Sequence, residues 1–151
     1  MSTKVVLLNV NSVVSRQKRH DLTNFLSVHK PNLLLLTESK LHPRHKLHIP
    51  NYTTFRSNRV DRPGGGTAIL VANPLDAQRV YIPNTIAPSM ELTVVSIATP
   101  SSITFLGSLY CPDQTLNPAD ISNLAQHLKA LPVSQHKCFS LVLGGRPKRQ
   151  T

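Results

Sequence analysis

The stretch NLLLLTESK, residues 32–40, limits what this chain can fold into more than any other feature. Four consecutive leucines, with no polar residue alternating between them, predict a β-strand that is covered on both faces. The strand ends on Glu38, one of only two glutamates in the chain. A strand this apolar needs further layers around it, so the stretch predicts a layered domain rather than a single open sheet.

A second apolar run, KVVLLNV at residues 4–10, predicts a strand that precedes the leucine strand. Between the two, Leu22, Phe25 and Leu26 recur at helical spacing and predict a helix over residues 17–29 with one buried stripe. Pro31 ends it. Strand, helix and strand in this order predict a βαβ-like unit.

The rest of the chain predicts more strands and one more helix, joined to the first unit by a loop over residues 39–51. Asn117 is a good helix cap, and Pro118 suits the first helical position. The predicted strands cover residues 52–57, 66–72, 77–82, 90–98, 102–110 and 138–145, and the second helix covers residues 118–131. This inventory predicts one α/β domain with a mixed sheet.

The charge of the chain is strongly positive, with 17 lysines and arginines against 7 acids and a net charge of +10. Such an excess favours a polyanionic partner, most simply nucleic acid, although a solvated basic surface has the same composition. Aromatic residues make up only 5%, with no tryptophan, which disfavours a groove that stacks single-stranded bases. Two cysteines argue against a disulfide framework and for a reducing compartment. No apolar run is long enough for a membrane span, and the start of the chain does not resemble a signal peptide.

Polar side chains follow the predicted strands where each strand ends. Asn9 and Asn11 end the first strand, Glu38 ends the second, and Tyr110 ends the strand FLGSLY. Strand tips are rigid and open, and Mg²⁺ prefers oxygen ligands from one or two carboxylates with water. Glu38 is therefore a candidate metal ligand; the alternative is that it is simply the first solvated residue after a core strand.

Five motifs occur in an order that resembles the endonuclease/exonuclease/phosphatase superfamily. They are LLNVNSV, LLLLTESKL, DRPGGGTAILV, GSLYCP and LVLGG. The chain is most similar to the apurinic-type endonuclease domain of jockey-like non-LTR retrotransposons, which precedes a reverse transcriptase. Ser12 departs from this pattern, because the family has glycine there. The match extends over most of this chain but only about the first two thirds of such a domain.

The resemblance implies the N-terminal part of a four-layer, DNase-like α/β sandwich and Mg²⁺-dependent cleavage of phosphodiesters in DNA. Glu38 would hold the metal, Asn9 and Asn11 would order its shell or the phosphate, and Tyr110 would donate a hydrogen bond to the scissile phosphate. We expect the target duplex to contact basic residues near the first helix and the third strand: Arg16, Lys18, Arg19, Arg56 and Arg62.

The last motif departs from the family, which continues as G-G-D-x-N. Here Arg146 stands in place of the aspartate and Lys148 in place of the asparagine. The later S-D-H segment, which supplies the general base, has no counterpart in these 151 residues. We therefore expect a C-terminally truncated, inactive endonuclease domain over residues 1–145 and a basic tail over residues 146–151.

Two other functions stay open on the sequence alone: a non-catalytic basic module that binds nucleic acid, and a phosphoesterase for a substrate other than nucleic acid. The segment LHPRHKLH places His42, His45 and His48 three residues apart, but Pro43 breaks the helix that a zinc site of this spacing would need. The expected context is an intracellular, nuclear monomer that works with a reverse transcriptase domain in the intact element.

Overall fold

The structure, a computed structural model, describes residues 3–58, 65–100, 102–111 and 117–131 in full and the backbone of residues 136–139. Within these ranges the chain forms eight strands and two helices. In chain order they are β1 (Val5–Asn9), α1 (Arg16–His29), β2 (Leu33–Thr37), β3 (Tyr52–Ser57), β4 (Thr67–Ala72), β5 (Asp76–Val80), β6 (Glu91–Ala98), β7 (Ser102–Tyr110), α2 (Pro118–Lys129) and β8 (His136–Phe139).

The strands form two four-stranded sheets with the orders β1-β2-β4-β3 and β5-β6-β7-β8. β1 and β2 run parallel, β7 and β8 run parallel, and the other neighbours are antiparallel. The sheets face each other through an apolar core to which Leu35 of the first sheet and Val95 and Leu106 of the second contribute. Each sheet contains both parallel and antiparallel pairs, in agreement with the layered α/β domain with a mixed sheet that the residue patterns predicted. The patterns did not show that the strands divide between two sheets.

The two helices cover the outer faces of the two sheets. Leu22 and Leu26 of α1 pack on Leu34 and Leu36 of the first sheet, and two leucines of α2 pack on the second. The resulting order is helix, sheet, sheet, helix. This is the four-layer arrangement that the resemblance implied.

The position of β2 explains its run of leucines. It lies between β1 and β4, and all five of its residues are buried. Alternate leucines face α1 and the second sheet, so every position needs an apolar side chain. β1 is also apolar, but it has one neighbour among the described strands, and Leu7 remains 40% exposed.

The helix ends follow from local chemistry. The Ser15 side chain accepts a hydrogen bond from the Lys18 N–H at 3.1 Å, and Lys30 ends α1 in a left-handed conformation. Asn117 caps α2 through the Ala119 N–H at 3.0 Å, as predicted. Neither described helix has the length and apolar character to cross a membrane. Most of the predicted last strand lies outside the described residues, and so does the predicted basic tail.

Candidate metal and phosphate site

The carboxyl ends of β1 and β2 lie side by side, because the two strands are parallel and in register, with Asn9 opposite Thr37. The chain segments beyond these ends continue the pairing. The Val10 N–H donates to the Thr37 carbonyl at 3.2 Å, and the Ser12 N–H donates to the Glu38 carbonyl at 2.7 Å. The structure therefore places residues 9–12 directly beside Glu38.

Tyr110 reaches the same place from the second sheet. Leu106, Ser108 and Tyr110 alternate along β7 and face the first sheet. The Ser108 hydroxyl donates to the Leu36 carbonyl at 2.8 Å, and two residues further on the Tyr110 hydroxyl donates to Oε1 of Glu38 at 3.0 Å. The packing of the sheets thus fixes a tyrosine on the candidate metal ligand.

The backbone of Glu38 turns its carboxylate toward Tyr110. Leu34 and Leu36 face α1, so simple alternation would place the Glu38 side chain on the α1 side as well. Glu38 instead has a left-handed φ of 56°, which interrupts the alternation. A non-glycine residue in this region costs free energy and persists only where the surroundings enforce it. Asn11, Ser12 and Lys40 also have positive φ values, so the strain is concentrated at this site.

The second carboxylate oxygen of Glu38 has no hydrogen-bond partner although it is buried. The hydroxyl oxygens of the flanking residues Thr37 and Ser39 are in the same state. Buried polar atoms are normally bonded, and leaving one unmet costs roughly 1–3 kcal/mol. Three unmet oxygens on consecutive residues at one strand end indicate a place for a ligand, such as a cation, that oxygen atoms bind.

Gly66 and Glu91 support this strand end from the other side. The Ser39 N–H donates to the Gly66 carbonyl at 3.2 Å, and the Gly66 N–H donates to Oε1 of Glu91 at the same distance. Gly66 has a φ of 92°, and a Cβ atom there would lie 2.5 Å from Oγ of Ser39. Only glycine fits this position.

Sequence reasoning missed Glu91, the other glutamate of the chain. It begins β6, opposite Tyr110, and shares the inter-sheet face with Val95 and Ile97. A signal was present, because alternation along MELTVVSIA places residue 91 on the same face as residues 95 and 97.

The two predicted asparagines are joined to each other and to a lysine. Oδ1 of Asn9 accepts the Asn11 N–H at 3.2 Å, and Oδ1 of Asn11 accepts the Lys40 ammonium at 2.7 Å. Both asparagines are exposed. Lys40 was also missed, although it closes the TESK motif. The site thus contains the positively charged ammonium of Lys40 in addition to the carboxylate of Glu38.

The unmet donor atoms at this strand end are oxygens, which a hard divalent cation prefers. Across the described part of the chain, no three His, Cys, Asp or Glu side chains are grouped closely enough to hold a metal ion. Mg²⁺ is commonly held by one or two carboxylates with water completing its shell, and a single carboxylate with an unmet, buried oxygen is compatible with such a site.

The basic residues predicted to contact DNA are placed as follows. Arg16, Lys18 and Arg19 lie in the first turns of α1, which has no acidic residue in its first turn. Lys18 lines a hollow of about 320 Å³ together with Asn9, so it is close to the strand end. Nη2 of Arg56 donates to main-chain carbonyls of residues 42, 43 and 45. Arg62 lies outside the described residues.

The fold has clear counterparts among solved structures. The endonuclease domain of TRAS1, a telomere-specific non-LTR retrotransposon, matches with a TM-score of 0.63 and 16% identity over 95% of this chain and 58% of that one. An AP endonuclease from Archaeoglobus fulgidus matches with a TM-score of 0.56 and 16% identity, over 93% and 56% of the two chains. The 3′ phosphatase NExo from Neisseria, bound to a product DNA hairpin, matches with a TM-score of 0.56 and 17% identity, over 95% and 57%.

No protein-family model and no curated protein matches the chain. The solved structures therefore establish the fold alone: the four-layer, DNase-like α/β sandwich. The chain spans about three fifths of the length of the TRAS1 domain.

Proposed function

We propose that this chain is part of a retrotransposon endonuclease domain, with a Mg²⁺ site at Glu38 and duplex DNA as its partner. The observation that carries the proposal is the buried, unpartnered Oε2 of Glu38 beside Oε1, which Tyr110 orients. The positive charge of the chain and the bound DNA in the NExo structure support a nucleic-acid partner. In an intact element the domain would precede a reverse transcriptase and work in the nucleus.

Each residue has a role that its contacts suggest. Glu38 holds the cation through Oε2, and the Tyr110 hydroxyl fixes the carboxylate by donating to Oε1. Asn11 holds the Lys40 ammonium at the rim, where it adds a positive charge for the phosphate. A bound Mg²⁺ would polarise the phosphate and stabilise the leaving oxygen.

We further propose that this chain does not cleave DNA by itself. Arg146 and Lys148, which lie outside the described residues, stand where the family has the aspartate and asparagine that position water and phosphate. Neither a guanidinium nor an ammonium positions and deprotonates water as a carboxylate does, so a metal bound beside these residues would have no nucleophile to direct. Binding of metal and DNA should therefore survive in this chain, whereas turnover should not.

Isothermal titration with Mg²⁺ and Mn²⁺ tests the metal site. We expect weak binding by the wild type and at least tenfold weaker binding by Glu38→Gln, because the amide removes the charge that holds the cation. Asp76→Asn is the matched control, since Asp76 is an exposed acid on β5 and its loss changes the net charge equally. Equal affinities for the wild type and Glu38→Gln would refute the assignment.

Nicking of supercoiled plasmid in Mg²⁺ tests the claim of inactivity. We expect no relaxed product from the wild-type chain at protein concentrations that saturate the DNA. Nicking that disappears in Glu38→Ala would show that the endonuclease assignment is right and the claim of inactivity wrong. Nicking that persists in Glu38→Ala would place catalysis elsewhere and refute the site.

A further inference from the structure

The segment LHPRHKLH has a defined shape that its own sequence does not explain. Nη2 of Arg56 donates to the carbonyls of His42 and Pro43 at 3.3 and 3.4 Å and also to the carbonyl of His45. The His42 N–H donates to Nδ1 of His45 at 3.0 Å, and the centroids of the two rings lie 5.4 Å apart. A guanidinium on β3 thus holds the two histidines together. Because Nδ1 of His45 already accepts a hydrogen bond, these contacts favour a role other than zinc binding.

Basic side chains from three parts of the chain act electrostatically on His45. Partial burial and then Arg44, His42, Arg19 and Arg56 lower the pKa of His45. Arg44 and His42 belong to its own segment, Arg19 belongs to α1, and Arg56 belongs to β3. Among the described residues, all the charges that shift its pKa are positive. A cluster of like charges is unfavourable alone and becomes favourable when a polyanion binds it.

This cluster flanks the Glu38 site. His42 lies four positions after Glu38, so their Cα atoms are at most about 14 Å apart. α1, which carries Arg19, begins just after the segment that pairs with Glu38. A DNA strand advances about 3.4 Å per phosphate along its axis, so a duplex with one phosphate at Glu38 has others within that distance.

We propose that Arg19, His42, Arg44 and His45 form a second phosphate-contact surface, which binds the backbone of duplex DNA beside the Glu38 site, and that Arg56 holds the two histidines in place. The inference rests on the proposed function, since it takes the same DNA as ligand. A bound phosphate reverses the local field, so His45 takes up a proton at Nδ1 when DNA binds, and the hydrogen bond from the His42 N–H to that atom is given up. Duplex affinity should therefore increase as the pH falls from about 7.5 to 5.5, across the range in which histidine titrates.

Fluorescence anisotropy with a labelled duplex in EDTA tests the surface between about 50 and 200 mM salt. Arg44→Gln should weaken binding about tenfold and reduce the salt slope by about one. Lys46→Gln removes the same charge from an exposed neighbour, and it should weaken binding less than twofold. Equal losses for the two variants would show that only net charge matters and would overturn the inference.

The second test measures duplex affinity between about pH 7.5 and 5.5. His45→Asn should lose most of the gain in affinity at low pH, whereas His48→Asn, from the exposed end of the same segment, should keep it. An unchanged pH response in His45→Asn would overturn the coupling. If the wild type binds no duplex at any salt concentration, the proposed DNA partner fails together with this surface. If it binds but Arg44→Gln and Lys46→Gln behave alike, only the inference fails.

Discussion

The two ends of the first sheet differ in how completely their polar groups are satisfied. At the end where β2 begins, Asn32 accepts the Lys4 N–H at 2.8 Å and returns its own N–H to the Lys4 carbonyl at 2.9 Å. The Tyr52 hydroxyl donates to the Pro31 carbonyl at 2.7 Å. At the other end, where β2 stops, lie all the buried side-chain atoms that lack a partner in the described part of the chain; they belong to Thr37, Glu38, Ser39, Arg56 and Asn58.

The backbone differs in the same way. Positive φ values cluster where β2 stops, at residues 11, 12, 38, 40, 65 and 66. At the opposite end, the described residues with positive φ are the helix cap Lys30 and Asn51. Strain and unmet polar atoms both reduce stability, and proteins keep them where function requires them. We infer that the end where β2 begins, the structural end, serves to stabilise the fold. The end where β2 stops, the ligand end, is organised to bind a ligand.

The largest effect should come from Gly66→Ala, which acts on the ligand end. The new Cβ would lie 2.5 Å from Oγ of Ser39, and φ is 92°, so the variant should lose about 1–3 kcal/mol of stability. Chemical denaturation measures the loss. Metal affinity should fall as well, because the displaced Ser39 adjoins Glu38. In the double variant with Ser39→Ala, part of the lost stability should return; strictly additive losses would show that the two residues do not clash.

The second effect compares one tyrosine from each end. Tyr52→Phe should cost about 1–2 kcal/mol, because the Pro31 carbonyl loses its donor, and it should leave Mg²⁺ affinity unchanged. Tyr110→Phe should change Mg²⁺ affinity severalfold, because Oε1 of Glu38 loses the hydrogen bond that orients it. Denaturation and metal titration of both variants supply the test. A change in Mg²⁺ affinity in Tyr52→Phe would show that the two ends are coupled.

The pH of that measurement matters. Burial raises the pKa of Tyr52, so the folded state holds the phenolic proton more tightly than the unfolded state. The stability that this provides is fully present below about pH 10, the ordinary value for tyrosine, and is lost as the pH rises above it. The variants should therefore be compared near pH 7, where the phenol is neutral in both states.

The order of the elements could be predicted from the sequence because each carries a local signal. The leucine run, the spacing of Leu22 and Leu26 and the cap at Asn117 act over a few residues, and the structure confirms all three elements. The division into two sheets was not visible in these patterns. It depends on which strand β5 joins, and β5 pairs with β6 rather than with β4, which precedes it.

The candidate site could be predicted only in part, for the same reason. Asn9, Asn11 and Glu38 lie at the ends of neighbouring parallel strands, so their proximity could be predicted from the sequence. Tyr110 was placed by the resemblance, and its contact with Glu38 depends on how the two sheets are packed. Lys40 and Glu91 were missed, because their partners depend on a left-handed turn and on a glycine that precedes β4. Tertiary contacts of this kind leave only weak traces in a single sequence.

The smallest effect should come from Ser12→Gly, compared with Asn51→Gly from the other end. Ser12 has a φ of 94°, which glycine adopts without strain, whereas Asn51 at 71° belongs to a residue type that tolerates this region. Relief of strain at Ser12 is offset by the greater freedom of glycine in the unfolded chain and by the loss of the hydrogen bond from the Val14 N–H. We expect Ser12→Gly to gain up to about 1 kcal/mol and Asn51→Gly to be neutral or slightly destabilising. Equal destabilisation in both variants, measured by denaturation, would mean that the ligand end carries no more backbone strain than the structural end, where β2 begins.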